Sequence, residues 1–118
     1  MKKATLLKPT ISFLSFCNIV LDKIKEKAIS DVVVELGNFS EKLRLITTVG
    51  SRKRKQKISR DVRMMLYTIR TINKMYIKDG DKEKIIVLIT SQKNVEEQLK
   101  LHDAERKERL EEKNNINN

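Results

Sequence analysis

The sequence predicts a small all-α protein, and three features of the chain lead to that prediction. Glycine and proline together supply 4 of 118 residues, too few for the many turns of a β-rich fold. Apolar residues recur at spacings of three and four, which is the period of an amphipathic helix. Serines stand just before two of these segments, where a helix N-cap is expected. With 4% aromatic residues and no Trp, the core is expected to be mostly aliphatic.

The first predicted helix spans about residues 11–27 and follows Pro9. Its apolar positions have helical spacing: Phe13, Phe16, Cys17, Val20, Leu21 and Ile24. The same region has a basic start and an apolar stretch that partly resemble a secretory signal, and LSFC is similar to a lipoprotein box. No A-x-A-like site follows, and Phe16 stands before the cysteine where a small residue is expected. A core helix is therefore favoured, and without an 18-residue apolar run no transmembrane helix is expected.

A second helix is predicted with Ser30 as its N-cap. The spacing between its apolar residues alternates between four and three, which is typical of the seam of a coiled coil or helical hairpin. Gly37 lies within this helix, where it either permits close packing or weakens the helix by about 1 kcal/mol. Together the two helices carry more apolar surface than they can hide from each other. We expect this surface to pack on the third helix or to contact a partner chain. The residues concerned are Phe13, Phe16, Val20, Val32, Leu36, Phe39, Leu43 and Ile46.

The second half of the chain predicts further helices. Ser59 is expected to cap a third helix, whose apolar positions are Val62, Met65, Leu66, Ile69, Ile72 and Met75. KDGD (78–81) predicts a turn. IIVLI (85–89) fits a buried strand or a buried helix, and helix is favoured because no partner strand is evident. A last helix is predicted over about residues 91–113, followed by the polar tail NNINN, expected to be disordered.

The net charge of +10 is concentrated in one segment. Residues 50–78 carry ten Lys or Arg and one acid, whereas residues 1–49 carry eight and five, and residues 79–118 eight and ten. The densest run, GSRKRKQKISRDVR (50–63), has seven basic residues among fourteen. A block of one sign indicates a polyanionic partner, although such blocks also serve as nuclear import signals or solvated loops.

Motifs for catalysis are absent from the sequence. The chain has one His and one Cys, which cannot supply a zinc cluster or an intramolecular disulfide, and it has neither a P-loop nor a G-x-G-x-x-G motif. We therefore expect a non-enzyme without a cofactor or metal.

The basic segment and the helices after it resemble a homeodomain. The match lies in RKRK (52–55), Ile58, Ser59 and the helix bearing Leu66, and in VEEQLKLHDAERKER (95–109), which is similar to the family's recognition helix. The resemblance implies a basic three-helix module over residues 50–113, after a helical pair at 1–49 and before a tail at 114–118. The DNA-binding residues that it and the charge pattern imply are Arg52, Lys53, Arg54, Lys55, Lys57, Arg60, Arg63, Lys100, Arg106 and Lys107.

The recognition-helix segment departs from the homeodomain pattern at the residues that matter most. His102 and Asp103 stand where the family has Trp and Phe, and Glu105 replaces the Asn that reads adenine. The resemblance therefore implies DNA binding through the phosphate backbone with little sequence preference.

Two further resemblances bear on the partners. ISDVVVELGNFSEKLRLI (29–46) is similar to the helical N-terminal domain of transcription elongation factors, a family of protein adaptors. The Lys-, Asn- and Ile-rich composition is typical of AT-rich genomes, and a homeobox-like chain of this kind resembles the small accessory subunits of ciliate DNA N6-adenine methyltransferase complexes. These resemblances imply a non-catalytic, DNA-binding accessory subunit in the nucleus, bound to protein partners through its N-terminal helices. The alternative is a nuclear adaptor whose basic block is an import signal.

Overall fold

The computed structural model describes residues 11–54 and 59–117, and within them the chain forms four α-helices and no strand. The helices are α1 (Phe13–Glu26), α2 (Ile29–Arg54), α3 (Arg60–Lys78) and α4 (Lys82–Asn117). The predicted all-α class is confirmed. Among the described residues, no helix combines the length and the apolar character that crossing a membrane requires.

Serine side chains begin two of the helices. The Ser12 hydroxyl accepts a hydrogen bond of 3.1 Å from the Ser15 N–H at the start of α1. At the start of α3, the Ser59 hydroxyl accepts one of 3.2 Å from the Val62 N–H, which confirms the predicted cap. Each hydroxyl satisfies an N–H group that has no partner inside its own helix.

The start of α2 differs from the prediction. The helix begins at Ile29, so Ser30 lies inside its first turn and is not the N-cap. The Ala28 carbonyl accepts the first hydrogen bonds, from the N–H groups of Asp31 and Val32. Ile29 is half-buried against the core, and burying this apolar residue accounts for the earlier start.

The turn between α3 and α4 matches the predicted KDGD turn. Gly80 has a φ of 62°, in the left-handed region that costs a residue with a Cβ about 1–2 kcal/mol. Its N–H donates to the Met75 carbonyl at 3.2 Å and so closes the end of α3. The Asp81 carboxylate then accepts from the Glu83 N–H at 3.0 Å and caps α4.

The last helix differs from the sequence prediction in where it begins and in where it ends. Residues 85–89 are helical, as favoured, but they are continuous with residues 91–113 in one helix of 36 residues. Residues 59–113 therefore hold two helices rather than three, and the homeodomain-like module is not confirmed. The backbone also remains helical through residues 114–117, where a disordered tail was expected. No Gly or Pro occurs after Gly80, so nothing in the sequence interrupts the helix.

One apolar core joins all four helices. α1 packs chiefly on α4, and α2 packs chiefly on α3, so the main contacts run between the two halves of the chain. The units predicted at residues 1–49 and 50–113 therefore share a single core. The phenyl rings of Phe16 on α1 and Phe39 on α2 stack with centroids 5.8 Å apart.

The side chains predicted as a partner interface lie mostly inside this core. Seven of them are at most 3% exposed: Phe13, Phe16, Val20, Val32, Leu36, Phe39 and Leu43. The expected packing on other helices of the chain accounts for them, and they offer no exposed surface to a partner. Ile46 is 49% exposed, so the buried seam of α2 ends at Leu43.

The second half of α4 extends beyond the core. Every described side chain from Glu97 to Lys113 is exposed, whereas Glu96 is buried. The packed part of α4 therefore ends near Glu96, about four turns into the helix.

Candidate nucleic-acid interface

One side of α3 is basic along most of its length. Arg63, Tyr67, Arg70, Lys74 and Lys78 follow each other at spacings of three or four residues, which places them on the same side of the helix. All five side chains are exposed. We call these five residues the basic face. It extends over sixteen residues, or about 22 Å at the usual helical rise.

The four cations of the basic face lie outside the ion pairs that the described residues form. Among the residues the structure describes, none of Arg63, Arg70, Lys74 and Lys78 forms an ion pair. The nearest acid beyond the end of α3, Asp79, is paired with Lys84 on α4 at 3.2 Å. The basic face therefore presents an uncompensated positive charge to solvent.

The orientation of α3 follows from its opposite side. Met65, Ile69 and Ile72 are buried in the core, which turns the basic face outward. Thr68 is fully buried on the same inner side, and its hydroxyl donates a hydrogen bond of 2.8 Å to the side-chain oxygen of Gln92 on α4. Apolar burial and one interhelical hydrogen bond thus fix which residues of α3 face solvent.

Arg60, one of the predicted DNA-binding residues, pairs with a buried carboxylate of α4. Its Nη1 lies 2.9 Å from Glu96 Oε1 and donates a hydrogen bond of 3.0 Å to Oε2. The Glu96 side chain is 4% exposed, and a buried carboxylate requires such a partner. Arg60 is therefore held by α4 as the counter-charge of Glu96, and its contact with DNA stays a prediction.

Five of the predicted DNA-binding side chains lie outside the described part of the chain: Arg52, Lys53, Arg54, Lys55 and Lys57. The backbone of residues 52–54 is the last turn of α2, and α3 begins at Arg60. We call residues 52–57 the basic arm. In the sequence, the arm directly precedes the end of α3 that carries Arg63.

The predicted residues on α4 are not brought together with the basic face. The contacts Arg60–Glu96 and Thr68–Gln92 show that α3 and α4 run antiparallel, so residues 97–113 project past the start of α3. Lys100, Arg106 and Lys107 are exposed there. Arg106 pairs with Asp103 at 3.0 Å, and residues 97–113 hold six carboxylates against five Lys or Arg. This half of α4 therefore lacks a positive excess.

Three of the four cations of the basic face were missed by the sequence prediction: Arg70, Lys74 and Lys78. The dense run at 50–63 drew the prediction toward the arm, although all three lie in the segment with ten basic residues and one acid. These three residues could have been identified from their spacing relative to the apolar positions of the same helix. A helix that buries one side exposes the other.

A groove between α2 and α3 borders the basic face. Its volume is about 140 Å³, and its lining combines apolar residues with Ser40 and Arg44 from α2 and with Arg70 and Asn73 from α3. Arg44 also pairs with Glu41 at 3.3 Å. Gly37 lies on the groove, and a Cβ built there meets nothing within 4 Å, so this glycine does not serve close helix packing.

The core also contains the polar side chains of Lys23 and Cys17. The buried Lys23 ammonium lies 3.0 Å from both carboxylate oxygens of Glu35, which links α1 to α2. Burial of Cys17, and after it the charge of Glu96, raises the pKa of the Cys17 thiol to about 12, so it stays protonated at neutral pH. Within the described residues, no three His, Cys, Asp or Glu side chains are grouped as a metal site requires.

Within residues 11–54 and 59–117, fold and site together define an all-α arrangement of four helices, with an exposed basic face on α3. The chain matches no protein-family model, no curated protein and no solved structure.

Proposed function

We propose that this protein is a non-catalytic DNA-binding protein that holds the phosphate backbone with little sequence preference. The observation that supports this most directly is the basic face of α3, with four exposed cations unpaired within the described residues. The basic arm adds five Lys or Arg next to the start of the same helix. Cations in such a row displace the counterions condensed on a nucleic acid, which favours binding without regard to base sequence.

The proposal assigns the binding to α3 and the arm, and not to the second half of α4. A recognition helix needs polar groups that reach base edges without repulsion from the phosphates. Glu105 stands where the homeodomain Asn would be, and Asp103 and Glu108 add negative charge nearby. This composition does not favour sequence readout by α4.

The test compares two variants with the same loss of charge. One is Arg70→Gln/Lys74→Gln/Lys78→Gln, which removes three cations from the basic face. The control is Lys25→Gln/Lys42→Gln/Lys82→Gln, which removes three exposed cations from α1, α2 and the start of α4. DNA affinity is measured by fluorescence anisotropy over a range of salt concentrations, with a duplex and with a single strand.

The basic-face variant should bind the duplex more weakly, and its plot of log K against log salt should flatten by about 0.9 for each phosphate that is no longer neutralised. The control variant should behave like the wild type. Equal losses in the two variants would show a net-charge effect and no defined face, and would contradict the proposal.

A separate variant replaces Arg52, Lys53, Arg54, Lys55 and Lys57 by Gln. If neither this arm variant nor the basic-face variant loses DNA affinity, DNA binding is wrong as a function. The adaptor hypothesis then stands, with the arm as an import signal, and a reporter protein fused to residues 50–63 tests that signal in cells.

A further inference from the structure

Tyr67 occupies the middle of the basic face and lies outside the hydrophobic core. The chain has five aromatic residues; Phe13, Phe16 and Phe39 are buried, and Tyr76 is half-buried. Tyr67 is 57% exposed, and within the described residues its hydroxyl forms no hydrogen bond. Its ring therefore contributes little to the packing of the fold.

The neighbours of Tyr67 are the cations of the basic face. Arg63 lies one turn before it, and Arg70 and Lys74 lie one and two turns after it on the same side of α3. An aromatic ring between cations matches the two requirements of single-stranded nucleic acid. The cations follow the phosphates, and the ring offers a flat surface on which a base can stack.

We infer that the basic face prefers single-stranded nucleic acid to duplex, with one base stacked on the ring of Tyr67. This inference rests on the proposed function and names its substrate class. In a duplex, each base face is covered by the neighbouring base pair, and the grooves present only base edges. A single aromatic ring on a helix therefore cannot stack on a base in a duplex unless base pairs are unstacked. A single strand presents base faces directly, and every base has one, so the contact carries no sequence preference.

The tyrosine content of the chain permits a direct readout. There is no Trp, and Tyr76→Phe leaves Tyr67 as the one remaining tyrosine. In this background, stacking should quench the tyrosine fluorescence when a single strand binds. A strand of the same length built from abasic sites keeps the phosphates and removes the bases. It should bind more weakly and leave the fluorescence largely unquenched.

Three substitutions separate stacking from apolar contact. Tyr67→Leu keeps an apolar side chain without a ring and should weaken binding to a single strand by about tenfold or more, with little effect on duplex binding. Tyr67→Phe keeps the ring and should bind like the wild type. The control is Ile77→Ala, which shortens an apolar side chain that is 76% exposed on the same helix and should leave both affinities unchanged.

The results distinguish this inference from the proposed function. Equal affinity for both forms, with no effect of Tyr67→Leu, would overturn the single-strand preference while leaving backbone binding intact. Failure of the wild type to bind either form would overturn the proposed function itself. Single strands of DNA and RNA of matched sequence are measured side by side. An affinity for RNA higher than that for DNA would support the stacking mechanism and would indicate that the natural substrate is RNA.

Discussion

The guanidinium of Arg60 at the start of α3 lies 2.9 Å from the carboxylate of Glu96, which is nine-tenths or more buried four turns into α4. The two residues are 36 positions apart in the sequence. This ion pair marks the point where the packed part of α4 ends and its exposed half begins, and it anchors the first turn of the helix that carries the basic face.

Replacement of Arg60 by Ala should therefore destabilise the fold. The change leaves the Glu96 carboxylate buried without a partner, which should lower the free energy of unfolding by about 2–3 kcal/mol. This loss is smaller than that expected for a fully buried pair, because Arg60 is half-exposed. Urea unfolding followed by circular dichroism measures the loss. Adding Glu96→Gln should restore much of the stability, and a double variant no more stable than Arg60→Ala would show that the charge of Glu96 is not the cause.

Two glycines should respond in opposite ways to alanine. Gly37→Ala should stabilise the protein by about 0.5–1 kcal/mol, because the position is helical and an added Cβ meets nothing within 4 Å. Gly80→Ala should destabilise it by about 1–2 kcal/mol, because φ is 62° although the space around it is adequate. Thermal unfolding of both variants tests the pair, and a stabilised Gly80→Ala would contradict the turn geometry.

Two leucines on α2 provide a matched test of the core. Leu43 is fully buried and Leu45 is 66% exposed, although they are two positions apart on the same helix. Leu43→Ala should cost about 2–5 kcal/mol through reduced burial and the cavity left behind. Leu45→Ala should change the free energy of unfolding by less than about 0.5 kcal/mol. Similar losses in the two variants would mean that α2 turns a different side toward the core.

The ion pair between Glu35 and Lys23 should make stability dependent on acid pH. Burial alone would raise the pKa of Glu35, but hydrogen bonds and charge from Lys23 and Lys27 lower it below its ordinary value. A lowered pKa means that the carboxylate stabilises the fold at neutral pH, and that this contribution disappears as the pH falls below about 4. Glu35→Gln should be less stable than the wild type at pH 7 and should approach it at pH 3.

Glu97→Gln is the control for the acid measurement, since Glu97 is exposed on α4. Its stability should follow that of the wild type at every pH. A constant difference between Glu35→Gln and the wild type from pH 7 to pH 3 would show that the charge of Glu35 is not responsible.

Local signals in the sequence were enough to predict much of the fold. The cap at Ser59, the turn at KDGD and the buried sides of α1 and α3 each depend on residues within one or two turns of each other. Ile46 shows the limit of such patterns. Its spacing continues the apolar seam of α2, but a side chain is buried only where another helix covers it, and Ile46 is half-exposed.

The candidate site was also predicted only in part, because some of its contacts depend on how the helices pack. Charge density identified the segment from residue 50 to 78, and helical spacing places Arg70 and Lys74 on its outer side. No spacing rule reveals that Arg60 is held by Glu96, since that contact depends on how α3 and α4 pack. The same is true of the continuous α4, where an apolar run followed by a charged run suggested two helices.

The packing of α1 on α4 has a consequence for the order in which the four helices can fold on the ribosome. The apolar side of α1 is covered chiefly by α4, the last of these helices to be synthesised. Until α4 has been translated, α1 has only its smaller contacts with α2 and α3, such as the stacking of Phe16 on Phe39. α2 and α3 are made in between and pack chiefly on each other. The nascent chain therefore exposes apolar surface on α1 while α2 and α3 are synthesised. A chaperone that binds short apolar segments would encounter α1 before the other helices.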